Sequence, residues 1–359
     1  MMKKSLVALA VLAVSGVASA QSTVTIYGIL DAWIGTVKDN NLSQSGVNVP
    51  HPFSGSGGGL QTSRFGLKGS EDLGSGLKAN FLLEAGFDPS TGVANSYTNP
   101  YTGATSNAIF GRQSWVGLSG GFGEVKLGKM WTPYDMVKGS GAAGFDSLLF
   151  APSTSVWVSN GYNDRPGNSI YYETPNFSGF SAAGMYSFGE NKTTAVGAGK
   201  IISMNVAYAN GPIGASLAYQ NEKATAAATA VKYTQLNGSY DFGVVKLLGA
   251  YGNVKNGNSP VTTLATDKTT EYQIGLDFPI SSTFTLSGGY ARSKSTRLGG
   301  LPDLKRTGYG VAGLYALSKR TNLYAGVQTA KEQNPTTVVG LTAPDRKTST
   351  YGVGIRHTF

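Results

Sequence analysis

The sequence predicts an all-β protein, a transmembrane antiparallel β-barrel of sixteen strands with short turns on one membrane side and long loops on the other. Three observations support this prediction. The chain is rich in glycine (50) and tyrosine (19) with only 14% charged residues, many segments alternate apolar with polar side chains, and the links between those segments alternate in length. This composition is too aromatic for a disordered chain and too rich in glycine for a helical protein.

The first twenty residues predict export. Two lysines precede an apolar run at 6–14, and 18–20 reads Ala-Ser-Ala, which is the order of a cleaved secretory signal. The run is shorter than the roughly 20 residues that a membrane-spanning helix needs. We therefore expect a signal peptide at 1–20 and a single barrel domain at 21–359. Cleavage would remove two lysines and no acidic residue, which changes the formal charge from +9 to +7.

Alternation predicts which face of each strand meets an apolar phase, because successive side chains of a strand point to opposite faces. In 24–34 the even positions are mostly apolar and Asp31 lies on the other face; in 77–87 the odd positions are apolar and Glu84 lies opposite. The same pattern recurs in 271–278, 284–290 and 350–359. A soluble β-sandwich would also alternate, so this pattern alone does not place the strands in a membrane.

The links between the strands separate a membrane barrel from a soluble sandwich. Turn residues mark short links at 73–76, 119–123, 175–179, 210–214, 241–243, 279–282 and 318–320. Longer polar links lie between them at 38–62, 88–108, 131–166, 189–200, 221–231, 253–268, 294–306 and 330–348. This succession is typical of a barrel with its turns on one membrane side. Fifteen links join sixteen strands, an even number that lets the last strand pair with the first. A barrel of eighteen strands is the alternative if two weak strands have been merged into their neighbours in this count.

Aromatic residues near the predicted strand ends suit the girdles that mark the two membrane interfaces of a barrel. The alternative is that they are ordinary core aromatics. The residues concerned are Phe81, Phe87, Phe180, Tyr240, Phe278, Phe284, Tyr315 and Tyr351.

Several classes of chemistry are disfavoured by what the chain lacks. With no cysteine, it has neither disulfides nor thiolate sites, and its two histidines are His51 and His357. The glycine-rich run at 55–59 is not followed by the Lys-Ser/Thr of a phosphate loop. The basic residues are dispersed along the strands, unlike a nucleic-acid-binding patch. We expect no enzymatic activity, no cofactor, no metal site and no nucleic-acid partner.

Five segments resemble one known family along the whole mature chain. The clearest is Ser-Arg-Phe-Gly-Leu-Lys-Gly-Ser-Glu-Asp-Leu-Gly-Ser-Gly-Leu-Lys-Ala at 63–79, and the others lie at 24–31, 111–118, 168–175 and 317–321, followed by a chain end at Phe359. Together they resemble the trimeric general porins of the Gram-negative outer membrane, in particular the β-proteobacterial type of Neisseria, Bordetella, Burkholderia and Comamonas.

The resemblance implies a sixteen-strand barrel in the outer membrane, a homotrimer, and a third extracellular loop folded into the lumen as the constriction. It also implies that the last strand, ending in Phe359, is the signal that the outer-membrane assembly machinery reads. The function implied is a water-filled channel for passive diffusion of small hydrophilic solutes and ions. Outer-membrane lipid and lipopolysaccharide are the expected surroundings.

Charged residues of the lumen are the candidates for selectivity, which depends on pore width and on charge at the narrowest point. Arg64 and Lys68 share the face opposite Phe65 and Leu67, and a charge facing lipid near the midplane would cost about 2–4 kcal/mol. We therefore place both in the lumen. The resemblance suggests a basic wall that includes Arg64, Arg112 and Arg165, with Lys68, Lys126 and Lys129 as further candidates.

The link at 131–166 is the longest one and the third long one, so we assign it as the constriction loop. It carries Asp135, Asp146 and Asp164, and apolar anchors at 148–150. Acids facing a basic wall would set up a transverse field, and the excess of positive charge favours a mild preference for anions. The open alternatives are a sugar- or solute-specific channel, and an adhesin or surface receptor that uses its loops on a barrel scaffold.

Overall fold

The computed structural model describes residues 23–40, 43–49, 58–194, 197–256, 266–298, 302–333 and 344–359. The predicted signal peptide and His51 lie outside the described residues. Within the part that is described, no helix has the length and hydropathy needed to cross a membrane.

The structure is a closed antiparallel barrel of sixteen strands, as predicted. The first half of the chain forms β1 (Thr23–Asp39), β2 (Ser43–Val47), β3 (Arg64–Gly74), β4 (Leu77–Gly86), β5 (Ser96–Thr98), β6 (Thr105–Asn107), β7 (Gln113–Gly120), β8 (Gly123–Lys129), β9 (Ser169–Glu173) and β10 (Phe180–Phe188). The second half forms β11 (Ala198–Asn210), β12 (Ile213–Thr225), β13 (Val231–Asp241), β14 (Lys246–Lys255), β15 (Thr266–Pro279), β16 (Phe284–Arg297), β17 (Leu304–Ala316), β18 (Thr321–Gln333) and β19 (Arg346–Thr358).

Two of these strands are halves of one barrel strand. β2 pairs with the upper part of β1, from Ile34 to Lys38, and β3 pairs with its lower part, from Thr23 to Ile29. Between the two halves, the described residues 48–49 and 58–63 belong to no strand. β5 and β6 form a separate two-stranded hairpin in the loop between β4 and β7.

The barrel closes where the last strand meets the first. β19 pairs with β1 over eleven residue pairs, from Ile29 opposite Thr358 to Asp39 opposite Thr348. At the chain end, Gly28 and Phe359 exchange two backbone hydrogen bonds of 3.0 Å. A Cβ at position 28 would lie 2.3 Å from the ring of Phe359, so glycine is needed there for the terminal ring to lie against β1. Closure therefore removes the two open edges that an unclosed sheet would have at β1 and β19.

The barrel is apolar outside and polar inside, the reverse of a soluble protein. Val24, Ile26 and Ile274 are more than 60% exposed on the outer face, whereas Asp31 and Glu271 are fully buried on the inner face. The faces predicted from alternation agree with this arrangement, including that of Arg64 opposite Phe65.

The longest loop, 130–168, folds inside the barrel. It contains two short helices, α1 (Pro133–Lys138) and α2 (Pro152–Val156), and three single 3₁₀ turns. α1 contacts β11 and β12, and α2 contacts β16, β17 and β18, so the loop follows the inner wall. The largest buried apolar side chains belong to this loop or touch it, among them Tyr134 and Phe150.

Candidate pore constriction

Glu84 organises the basic side of the lumen. This residue of β4 is only 4% exposed, and its carboxylate accepts hydrogen bonds from Arg112 Nε at 2.8 Å and from the Tyr27 hydroxyl at 2.9 Å. Arg64 Nε lies 3.6 Å from the second carboxylate oxygen. One acid therefore holds two arginines from separate segments of the chain, and a buried charge is tolerated here because it is paired on both sides.

Trp131 joins the third arginine to this group. The guanidinium groups of Arg112 and Arg165 both lie over its indole ring, at 5.3 and 4.2 Å from the ring centre, a distance at which a cation is attracted to the ring. Arg165 also pairs with Asp164 at 3.0 Å. We call Arg64, Arg112, Arg165, Glu84 and Trp131 the arginine cluster.

Arg165 of the arginine cluster and Arg356 near it each keep an unused hydrogen-bond donor. Nη1 of Arg165 and Nε of Arg356 are buried and have no hydrogen-bond partner among the described residues. Arg356 lies on the inner face of β19, and both it and Arg165 act electrostatically on Arg64. Buried cationic donors without partners are costly, so an anion that reached them would be stabilised.

The three lysine candidates are scattered around the cluster. Lys68 lies four residues along β3 from Arg64 and is exposed over the ring of Tyr27, 5.1 Å from its centre. Lys126 pairs with Glu124 at 2.8 Å. Lys129 ends β8 after Gly128, whose positive φ of 131° turns the backbone, and it donates to the carbonyl of Arg165. Of the three lysines, Lys129 is therefore the one that contacts a member of the cluster.

The two acidic candidates of the loop do not pair with the arginine cluster. Asp135 accepts a hydrogen bond from the Tyr162 hydroxyl and lies 4.0 Å from Lys138. Burial raises the pKa of Asp135 to about 6, with Lys138 opposing the rise and Asp164 adding to it. Asp146 is exposed in a 3₁₀ turn, where its φ is 48°.

Polar side chains of the barrel wall hold the loop against it. They bind backbone groups of the loop, so peptide groups that leave the regular sheet find partners. Examples are Ser203, Asn205, Gln235, Gln273, Ser287 and Gln328. Glu271 accepts from the amides of Val158 and Ser159 on the returning half of the loop.

A second anchor lies at the tip of the loop. The carboxylate of Asp31 accepts hydrogen bonds from the amides of Gly59, Leu60 and Gln61, at 2.8–3.0 Å. The carbonyls of Gly59 and Leu60 in turn accept from Leu149 and Leu148 of the loop, at 3.1 and 3.2 Å. The predicted apolar anchors are thus held through the backbone, and Leu149 is also buried against Trp33 and Tyr324.

Alternation puts Asp31, Glu84 and Arg356 on the face opposite the apolar residues of their strands, but it does not mark them as site residues. The available signal was a charged residue on the lumen face of a strand. Trp131 carried no such signal, because its role depends on two arginines that come from other segments.

Comparison with known proteins identifies the family. The family model described as Gram-negative porin matches residues 5–335. The chain belongs to the Gram-negative porin family. This porin is 35% identical to outer membrane porin protein 32 of Delftia acidovorans and 33% identical to an outer membrane porin protein of Bordetella pertussis, in each case over 100% of both chains.

A solved structure supports the same assignment. The anion-selective porin from Comamonas acidovorans matches this porin with a TM-score of 0.73 and 30% identity, over 94% of this chain and 100% of that chain. This porin is therefore a β-barrel channel of the Gram-negative outer membrane, and small hydrophilic solutes diffuse through it passively.

Proposed function

We propose that the channel is a general diffusion pore with a mild preference for anions, and that its selectivity arises at the arginine cluster. The observation that carries the proposal is the excess of positive charge around Arg64, on which Arg165 and Arg356 both act, with a buried donor on each of those two that has no partner within the described part of the chain. Glu84 and Asp164 offset only part of this positive charge. Field strength is greatest where a charged wall borders a narrow aqueous path.

The acidic loop contributes to the same proposal. Asp146 is exposed within the barrel, so it is available as the negative side of a transverse field. Asp135 contributes less, since it is already bound to Tyr162 and Lys138. A similar protein of known structure is an anion-selective porin by its name. This agrees with a constriction in which the positive charge of the arginine cluster outweighs the negative charge of the loop.

The proposal includes a homotrimer as the working form, as the family resemblance implies, in contact with outer-membrane lipid and lipopolysaccharide. It includes recognition of the strand ending in Phe359 by the outer-membrane assembly machinery. No enzymatic reaction is assigned, and the purified protein should hydrolyse neither peptides nor phospholipids.

Reversal potentials in planar bilayers test the selectivity. With a gradient of potassium chloride across the bilayer, we expect a potential of the sign that reports a higher permeability for chloride. A potential of the opposite sign would refute the anion preference. Conductance should rise in proportion to salt, and a saturable block by a sugar would indicate a solute-specific channel instead.

A further inference from the structure

A cavity lies at the extracellular mouth of the barrel, apart from the arginine cluster. Its volume of about 430 Å³ is within the roughly 300–1,000 Å³ that is usual for sites of small molecules. The turn of the β5–β6 hairpin lines one side of it with Pro100 and Tyr101. Ile201 and Val231 line the barrel side, and Glu222 of β12 is the one acid among the described residues that line it. We call this space the mouth cavity.

The hairpin side of the mouth cavity is fixed to the barrel wall. The hydroxyl groups of Tyr101 and Ser187 share a hydrogen bond of 2.7 Å. The ring of Tyr101 packs on β11, since a Cβ at Gly199 would lie 2.7 Å from it. Asn191 accepts from the amide of Gly199 at 2.9 Å and donates to the carbonyl of Ala224 at 2.6 Å. The cavity is therefore formed before any ligand arrives.

Glu222 offers the mouth cavity an acceptor. Its Oε1 atom accepts hydrogen bonds from the amide of Asn163 and from Nε2 of Gln220, both at 2.7 Å. Its second oxygen, Oε2, has no hydrogen-bond partner among the described residues, and Glu222 makes no ion pair with any of them. Asp164, which acts electrostatically on Glu222, is also negative. The carboxylate is thus half used by the protein.

The chain supplies no cation to the mouth cavity. Lys223 borders it, but as the next residue of the strand its side chain leaves β12 on the opposite face, and its ammonium group donates to the carbonyl of Ala226 at 3.4 Å. Lys200, opposite Lys223 in the sheet, is exposed on the same outer face. The segments 257–265 and 299–301, next in the chain to residues that line the cavity, contain no lysine, arginine or histidine. An acid without a counter-charge beside apolar walls would be stabilised by a cation from outside.

We propose that the mouth cavity binds a small organic cation, with its ammonium group on Oε2 of Glu222 and its apolar part against Tyr101 and Ile201. A hydrogen bond between two charged groups is about twice as strong as one between neutral groups, and the apolar walls favour an aliphatic or aromatic substituent. The inference goes beyond the proposed function, because it assigns a site that retains a cation in a channel that prefers anions. Glu222 also holds Asn163 of the constriction loop, so the bound cation lies beside the return of that loop.

The experiment measures binding to the full-length, folded porin in detergent by isothermal titration calorimetry. The probe is phenethylamine, which carries an ammonium group on a short chain from one aromatic ring. Its neutral analogue 2-phenylethanol and its anionic analogue phenylacetate have the same ring. Glu222→Gln removes the charge but keeps an acceptor for Asn163, and Tyr101→Ala removes the ring. Glu190→Gln is the matched control, since Glu190 is an exposed acid of the loop after β10 that does not line the cavity.

We expect Glu222→Gln to weaken phenethylamine binding about tenfold or more, the size of a charged hydrogen bond, and Tyr101→Ala to weaken it about threefold or more. Glu190→Gln should change the dissociation constant less than about twofold, because an exposed charge is screened. The parent protein should bind 2-phenylethanol at least about tenfold more weakly than phenethylamine and should not bind phenylacetate.

Equal affinity for the amine and the alcohol would overturn the proposal, and so would equal losses in Glu222→Gln and Glu190→Gln. If Glu222→Gln does not fold, as judged by its thermal unfolding, Tyr101→Ala and the two analogues decide the question. The reversal potential of the parent protein is recorded without the probe, so that a failure of the anion preference is seen separately from a failure of the mouth cavity to bind cations.

Discussion

The hydroxyl of Tyr324 donates a 2.5 Å hydrogen bond to the carboxylate of Asp31, joining β18 to β1 across 293 positions of the chain. The same carboxylate receives the amides of residues 59–61, which hold the tip of the constriction loop. Asp31 also lies opposite Arg356 in the sheet, but its carboxylate oxygens already accept from three backbone amides and from Tyr324. The position of the constriction thus depends on a residue of the barrel wall.

Asp31→Asn should loosen the tip of the constriction loop. The amide cannot accept from three backbone donors and from Tyr324 as a carboxylate does, and we expect a loss of about 1–3 kcal/mol. Thermal unfolding should shift to lower temperature, and single-channel traces should become noisier. Asp241→Asn is the matched control, since that exposed acid bonds to Gly243 within its own turn. If Asp31→Asn showed the same single-channel noise and the same unfolding temperature as the parent, Asp31 would not hold the constriction loop.

Arg165→Gln should reduce the anion preference with little effect on folding. Arg165 is partly exposed and its ion pair is with Asp164, which is itself half-exposed, so its loss leaves no buried acid unpaired. We expect the chloride-to-potassium permeability ratio to fall about two- to fivefold. This is the effect of removing one charge whose interaction with an ion a few ångströms away in water is worth about 1 kcal/mol or less. Lys319→Gln, in an exposed periplasmic turn, should leave the ratio unchanged. Equal shifts in both variants would indicate an effect of overall charge.

Glu84→Gln should shift selectivity in the opposite direction. Arg64 and Arg112 would lose their shared counter-charge, so reversal potentials should report a stronger anion preference. Because Glu84 and Arg112 are both buried, stability should also fall by about 1–3 kcal/mol. A selectivity that moves towards cations would contradict the role assigned to the cluster.

Protonation of Asp135 should make the channel more selective for anions as pH falls. Its pKa is raised from 3.8 to about 6, so one negative charge of the loop is lost as the pH falls through that value. Between about pH 4 and 6 this carboxyl is protonated in the native state and ionised in the unfolded chain. Its contribution to the free energy of unfolding is therefore largest below about pH 4 and is lost as pH rises through 6. Asp135→Asn should remove that part of both pH profiles. Profiles identical to those of the parent would exclude Asp135 as the titrating group.

Removing the terminal ring should impair assembly more than it impairs the finished channel. In Phe359→Ala the ring over Gly28 is lost, and we expect a smaller fraction of heat-modifiable, folded protein in the outer membrane. The conductance of the molecules that do assemble should be unaltered. Phe242→Ala, at another exposed aromatic near a strand end, is the control. Equal yields would remove Phe359 from the assembly signal.

Much of the architecture could be predicted because it follows from local rules. A strand between lipid and water must alternate, so Phe65 and Leu67 define the outer face and Arg64 and Lys68 the inner one. Turn residues mark where each strand ends, and an even strand number permits closure. The prediction of sixteen strands is confirmed.

The constriction could be predicted only in outline. Length and acidic content indicated the loop, but Asp135 binds Tyr162 and Lys138 of the same loop, and Lys68 lies along the wall away from the arginines. Trp131, Glu84 and Asp31 act through partners that are remote in the chain, and no pattern in the sequence links them.

The sequence by itself determined the barrel and its inner and outer faces, since these depend on the polarity of successive side chains in contact with lipid or water. Only the tertiary structure decided how Arg64, Arg112 and Arg165 meet around Glu84 and Trp131. The reason is physical: strand register and a loop folded inside the barrel bring distant charges together, and buried charges take whichever partners that geometry supplies.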